Sequence, residues 1–344
     1  MDFTMERVKQ MLILLKGNRY YARLPLNGWR FCECGYKTGN LIPDKNAPEF
    51  RDFGEDERWG KKADSHAWFC RHIVVPSGWK GEIRFALRTG KEGQWDARNP
   101  QFIAYLNGVL TQGMDVNHTE LLLPELTEFD LDLYAYAGME GTLSEFNAEL
   151  QWVNTDCERL YYDLRVPMEI LEFSDPVSKA YADVRRILNE AINRMDCRAP
   201  GSAAFNASIR AASDFLKTEL YEKYCADQPE TVICIGHTHI DVAWLWTLAQ
   251  TREKTQRSFS TVLNLMKKYP EYKFMSSQAQ LYDYLKQESP ETYEEIKKMV
   301  AAGRWEVEGA MWVEADCNLP SGESLVRQVL FGKRFFKKEF GVES

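Results

Sequence analysis

Thr231-Val232-Ile233-Cys234-Ile235-Gly236-His237-Thr238-His239-Ile240-Asp241-Val242-Ala243-Trp244 is the stretch on which the fold turns. Its first five residues form a continuous apolar run, rich in β-branched side chains and closed by Gly236. That is the pattern of a parallel strand buried on both faces. A helical pattern follows over 251–268 and stops at Pro270, then a strand at 272–275. Ser289-Pro290 opens a helix that ends at Gly303, residues 305–308 read as a third strand, and Ser321 caps a helix that stops before Gly341. Strand alternating with helix predicts three β/α units over 229–344. A closed barrel needs about seven or eight, so the expectation is the first part of an incomplete (β/α)7-type barrel.

Upstream the texture changes. Between 19 and 165, short runs at 72–76, 81–87, 130–137 and 148–154 are separated by turn signals such as Trp79-Lys80-Gly81 and Arg88-Thr89-Gly90. The plainest hairpin joins residues 102–106 to 109–111 through Asn107-Gly108, the pair that accepts positive φ at both positions of a type I′ turn. Such spacing predicts an antiparallel β-sandwich. Residues 3–16 read as an amphipathic helix ended by Gly17-Asn18, and complete a first domain over 1–165. After Asp175-Pro176 the apolar residues Val177, Tyr181, Val184, Ile187, Leu188 and Ile192 recur mostly at three- and four-residue steps, and a second helix reaches about 223. These form a helical linker over 166–228. The chain thus reads as multi-domain.

Hydrophobic residues make up 44% and charged residues 27% of the 344, a globular balance rather than a disordered one. The net charge of −8 argues against nucleic acid or an anionic membrane surface as partner. Met11-Leu12-Ile13-Leu14-Leu15 is apolar but flanked by Lys9 and Lys16, and no stretch approaches the roughly 18 apolar residues that a span needs. With no basic region ahead of an apolar segment at the N-terminus, a soluble, cytoplasmic protein is expected. Disulfides are then not expected among the eight cysteines, and Cys32-Glu33-Cys34 has the wrong spacing for a zinc knuckle. Ten Trp residues serve either large β-rich cores or sugar-stacking platforms.

Two motifs carry chemistry. His237-Thr238-His239-Ile240-Asp241 follows the first parallel strand, where α/β barrels place catalytic loops. His239 and Asp241, two apart in an extended loop, point the same way and can share one cation, and imidazole with carboxylate suits zinc. A hydrogen-bonded loop without metal is the other reading. Glu308-Gly309-Ala310-Met311-Trp312-Val313-Glu314-Ala315-Asp316-Cys317-Asn318 follows the third strand, on the same rim. An acidic pair beside aromatics suits glycoside chemistry, unless Glu314 or Asp316 merely caps the next helix.

In this order and spacing the two motifs resemble glycoside hydrolase family 38, the α-mannosidases. Tyr105-Leu106-Asn107-Gly108 and Gln112-Gly113-Met114-Asp115 with His118 resemble the N-terminal β-domain of that family's bacterial and cytosolic branch. The resemblance is to the N-terminal portion of such an enzyme. It implies zinc as cofactor, with His239, Asp241 and Asp316 as ligands. It implies Asp316 as the nucleophile of a retaining mechanism through a covalent glycosyl-enzyme. Trp244 matches the aromatic residue against which the terminal mannose packs, and His237 is expected to orient the site without binding the metal. Glu314 and Asn318 receive no role. The family's acid/base Asp and last zinc-binding His lie beyond Ser344, so the chain is expected to be inactive alone and to expose apolar surface at an open barrel edge. Substrates implied are α-mannosides and oligosaccharides, and relatives tend to be homo-oligomers. Two rivals stand beside this reading. A metal-dependent polysaccharide deacetylase also uses nearby His and Asp, but needs neither an aromatic at 244 nor a large β-domain. A carbohydrate-binding or assembly module would use 19–165 without catalysis.

Overall fold

In the type I′ turn that joins two neighbouring strands of the antiparallel half, Asn107 and Gly108 have φ of 48° and 81°. The computed structural model describes residues 3–36, 42–226 and 231–344. After α1 (Thr4–Gly17) come β1 (Tyr20–Pro25), β2 (Arg30–Cys34), β3 (Arg51–Asp52), β4 (His66–Val74) and β5 (Ile83–Arg88). The hairpin strands are β6 (Gln101–Leu106) and β7 (Val109–Asp115), followed by β8 (Glu120–Leu122), β9 (Glu128–Tyr136) and β10 (Asn147–Val153). Every pairing among them is antiparallel. They form a four-stranded sheet in the order β1-β10-β5-β8 and a six-stranded one in the order β3-β2-β4-β9-β6-β7. One core joins the two: Phe31, Phe69, Phe102 and Leu131 come from the larger sheet, Phe85, Leu121 and Leu150 from the smaller. Between them Phe146 stacks on Phe69 with centroids 4.0 Å apart and planes 7° from parallel.

Before the parallel part the helices depart from the sequence expectation in two places. A long helix, α2 (Thr155–Glu172), begins directly after β10, capped by Asn154, whose Oδ1 accepts the Cys157 N–H at 3.3 Å. Pro167 inside it, with no turn residues before it, hides it from a pattern search. And α1 packs not on the sheets but with α2, α3 (Lys179–Ile192) and α4 (Ala203–Leu216), where Val8, Leu12 and Leu15 meet Leu160, Leu164, Leu188 and Ile209. A π-helical segment, Lys217–Tyr224, continues α4.

The last part is a parallel sheet in the order β11 (Gly236–His237), β12 (Phe274–Ser276), β13 (Trp305–Val307). Four helices accompany it: α5 (Leu248–Lys268), α6 (Ala279–Glu288), α7 (Pro290–Ala301) and α8 (Gly322–Phe340). Phe259, Phe274, Tyr282, Trp305 and Phe336 fill its core. The strand expected over 231–235 is a correction. Only Gly236 and His237 pair, and Val232 and Ile233 are more than four-fifths exposed. A strand is buried on both faces only where neighbours flank it, and β11 lies at the edge of its sheet with a single partner. The short α6 was not expected either. Ser289 turns its hydroxyl to Gln256 at 3.3 Å. Gly332 lets α8 approach the backbone of Ala310 and Met311, where a Cβ would lie 2.7 Å from the Met311 carbonyl carbon. Along α8, Val326, Val329, Leu330 and Phe331 are exposed.

The antiparallel half and α5 meet backbone to backbone. A Cβ on Gly113 of β7 would sit 2.6 Å from the Arg257 Cα, and the Gly113 N–H donates to Thr261 Oγ1 at 3.1 Å. Among the described residues no helix is long and apolar enough to cross a membrane.

Candidate active site

Parallel strands send their following loops to one end of the sheet, so the segments after β11, β12 and β13 converge. Gln278, just past β12, staples the other two. Its Nε2 donates to the Ile240 carbonyl at 2.9 Å, and its Oε1 accepts the Glu314 N–H at 3.1 Å. Gln278 is buried and has φ of 67°, in the left-handed region.

On this staple sits a three-residue cluster. His239 Nδ1 lies 2.6 Å from Glu314 Oε2, and His239 Nε2 lies 3.2 Å from Asp241 Oδ1. Ser277 Oγ donates to the other Glu314 oxygen at 2.6 Å. The HxD motif therefore does bring its two side chains together, and Glu314, which the sequence left without a role, joins them. His237 Nδ1 is 3.0 Å from the Met275 carbonyl, so this ring faces the neighbouring strand. Asp316 turns back into its own loop, where Oδ1 accepts the N–H groups of Asn318 at 2.7 Å and Leu319 at 3.1 Å. Neither acidic residue caps α8; Ser321 does, accepting the Ser324 N–H at 3.2 Å.

The donor set can be tested against zinc. Ligands at about 2.0–2.2 Å in a tetrahedral site lie a little over 3 Å from each other, which matches the Nε2–Oδ1 separation of 3.2 Å. A carboxylate on the other ring nitrogen is the usual support for a metal-binding imidazole, and Glu314 stands there. Among the described residues no three His, Cys, Asp or Glu side chains gather in metal-binding geometry. His239 and Asp241 thus fit a cation, and Asp316 is oriented elsewhere.

The loop between Asp241 and α5 is pinned by Thr251. Its Oγ1 accepts the Ala243 N–H at 3.2 Å and the Trp246 indole N–H at 3.1 Å. Ala243 takes φ of 61° there, and Thr247 and Gln250 form a reciprocal capping box at the start of α5. Trp244 is thereby held out, 62% exposed, with its ring edge-on to Trp246 at 5.5 Å and to Trp95 at 6.2 Å. Nothing in the sequence pattern marks Gln278, Ser277 or Trp95, because each owes its place to residues remote in the chain.

Residues 229–344 match the glycosyl hydrolases family 38 N-terminal domain. Over 99% of its length the chain is 30% identical to Alpha-mannosidase G of Dictyostelium discoideum, of which it covers 33%. It is 30% identical to Alpha-mannosidase of Saccharomyces cerevisiae over 87% of the chain, covering 29% of that protein. With Alpha-mannosidase 2C1 of Homo sapiens it shares 28% identity over 98% of the chain and covers 34%. The chain thus spans about a third of the length of these relatives.

Proposed function

The chain belongs to glycosyl hydrolase family 38, and on that premise we propose that it supplies the sugar-binding and nucleophilic part of a zinc-dependent, retaining α-mannosidase. The substrates are terminal α-linked mannosides and oligosaccharides, and the protein works in the cytoplasm as a homo-oligomer. The observation that carries this reading is His239 held between Asp241 and Glu314, on two loops that Gln278 ties together.

His239 through Nε2 and Asp241 through Oδ1 would hold the cation, and Asp316 would join them as third donor once its carboxylate turns from the N–H groups of Asn318 and Leu319. Zinc, when bound, supplies Lewis-acid polarisation of the mannose hydroxyls. Glu314 fixes the plane of the His239 ring, and Ser277 fixes Glu314. Trp244 offers an indole face to the apolar side of the mannose ring. Asp316 attacks C1 as the bond to the leaving oxygen breaks, giving a glycosyl ester with inverted configuration. Water then cleaves the ester with a second inversion, so that configuration is retained overall. The proton for the leaving oxygen comes from a second carboxyl group, to which no residue of this chain is assigned.

The test is release of 4-nitrophenol from 4-nitrophenyl α-mannoside by the enzyme that contains this chain, with and without a zinc chelator, beside Asp316→Asn. Loss of turnover on chelation and a fall of at least about a thousandfold in Asp316→Asn are expected. Turnover that survives Asp316→Asn removes Asp316 as nucleophile. Turnover indifferent to the chelator removes the metal.

A further inference from the structure

Trp95 lies in the antiparallel half, on the connection between β5 and β6, yet its ring stands 6.2 Å from that of Trp244 with the planes 67° apart. Both indoles are open to solvent, 39% and 62%. Exposed aromatic side chains that lie together, rather than singly, mark a candidate binding surface. Arg98 lies over the Trp95 ring, its guanidinium 5.1 Å from the centroid.

The segment is held rigidly. Asn99 Nδ2 donates to the Trp95 carbonyl at 2.7 Å and Gln101 Nε2 to the Asp96 carbonyl at 2.6 Å. Asp96 pairs with Lys254 of α5 at 3.0 Å, and Lys254 lies over Trp246 at 4.6 Å. The charge pair therefore locks the Trp95 segment to the helix whose first turn positions Trp244. Asp96 also lines a cavity of about 380 Å³ together with His237, Thr238 and His239. Indole faces recognise the C–H faces of sugar rings, and two faces set at an angle suit two pyranose rings joined by a bent α-linkage.

We propose that Trp95 is the platform for the second sugar, the one bearing the scissile oxygen, so that the site is built for mannosides whose leaving group is itself a sugar. This rests on Trp244 holding the terminal mannose, as in the function proposed for the chain. Trp95 is then a specificity-determining residue that the antiparallel half lends to the catalytic loops.

The test measures dissociation constants by calorimetry on the enzyme that contains this chain, made inert by Asp316→Asn, in zinc-containing buffer. Methyl α-mannoside is compared with the α1→2-, α1→3- and α1→6-linked mannobioses, with Trp95 intact and in Trp95→Ala and Trp95→Tyr. At least one mannobiose is expected to bind about five- to tenfold more tightly than methyl α-mannoside, the scale of one aromatic contact. That ratio should collapse to about one in Trp95→Ala and recover in Trp95→Tyr. A ratio near one with Trp95 intact, or a ratio that Trp95→Ala leaves unchanged, overturns the proposal while the mannoside reading stands. Binding of neither sugar by the folded, zinc-loaded enzyme sinks the mannoside reading itself, and the platform with it.

Discussion

At Gln278 the backbone adopts a left-handed conformation with φ of 67°, which costs a side chain with a Cβ about 1 kcal/mol or more. Two hydrogen bonds, to the Ile240 carbonyl and from the Glu314 N–H, hold it there. Gln278→Ala keeps the strained backbone and loses both bonds, so a loss of about 2–4 kcal/mol in urea unfolding is expected. Gln278→Gly loses the same bonds but sheds the strain, and should be about 1 kcal/mol less damaging than Ala. Equal losses would mean that the site carries no backbone strain. The contrast between Gln278 and Asp241 marks how far the sequence could be read at this scale. Two residues apart in one loop, His239 and Asp241 must face alike, so their meeting was legible. The grip of Glu314 on His239 was not, because it depends on where a third strand lies in the sheet. Asp316 was singled out by its motif, but no local rule foretold that its carboxylate would close on the N–H groups of Asn318 and Leu319.

Among elements, a heavily charged joint lies between β5 and α2. Arg84, nearly buried, meets Glu158 at 2.5 Å and Glu120 at 2.9 Å, and also pairs with Glu82, while Arg19 reaches Glu158 from beside β1. Burial alone would raise the Glu158 carboxyl; the Arg84 and Arg19 guanidinium groups override it and hold the group at about 2, below its ordinary 4.5. A carboxyl depressed on folding stabilises the protein fully above pH 4.5, and that contribution drains away as pH falls towards 2. Glu158→Gln should cost about 3 kcal/mol near neutral pH, because it takes one of three carboxylates from the buried Arg84 and the carboxylate partner from Arg19. It should also flatten the acid limb of a plot of urea midpoint against pH. An acid limb as steep as in wild type would show that other carboxylates carry it. The hairpin at Asn107-Gly108 was legible because two adjacent residues suffice to write it. The helix that bears Glu158 was not, since β10 runs into it with only Asn154 between them and Pro167 breaks its pattern. Residues 231–235 failed in the opposite sense. Their composition is that of a buried strand, but burial is conferred by neighbours, and β11 has one.

Over the whole molecule, α5 is shared property. One face fills the core under the parallel sheet through Phe259 and Val262. The other is docked on the antiparallel half through Gly113 to Thr261, Asn264 to Gln112 at 2.7 Å and Lys254 to Asp96. His66 and Glu253 also approach to 2.9 Å across this joint, both almost wholly buried, though out of line for a good hydrogen bond. Gly113→Val would drive a side chain into the Arg257 backbone at a cost of more than about 2 kcal/mol. Calorimetry should then resolve two transitions where wild type gives one, as expected when a joint fails before the parts it connects. A single, merely lower transition would mean that the other contacts suffice. The alternation of strand and helix made the parallel part legible and the turn spacing made the sheets legible, but their joint was visible only as a glycine within Gln112-Gly113-Met114-Asp115. That glycine also bears on descent. Lineages that trade sugar-binding modules by recombination can cut only where the exchanged surfaces tolerate a stranger. A strand that admits no Cβ against its helix is intolerant, so β7 and α5 are expected to be inherited together rather than exchanged separately.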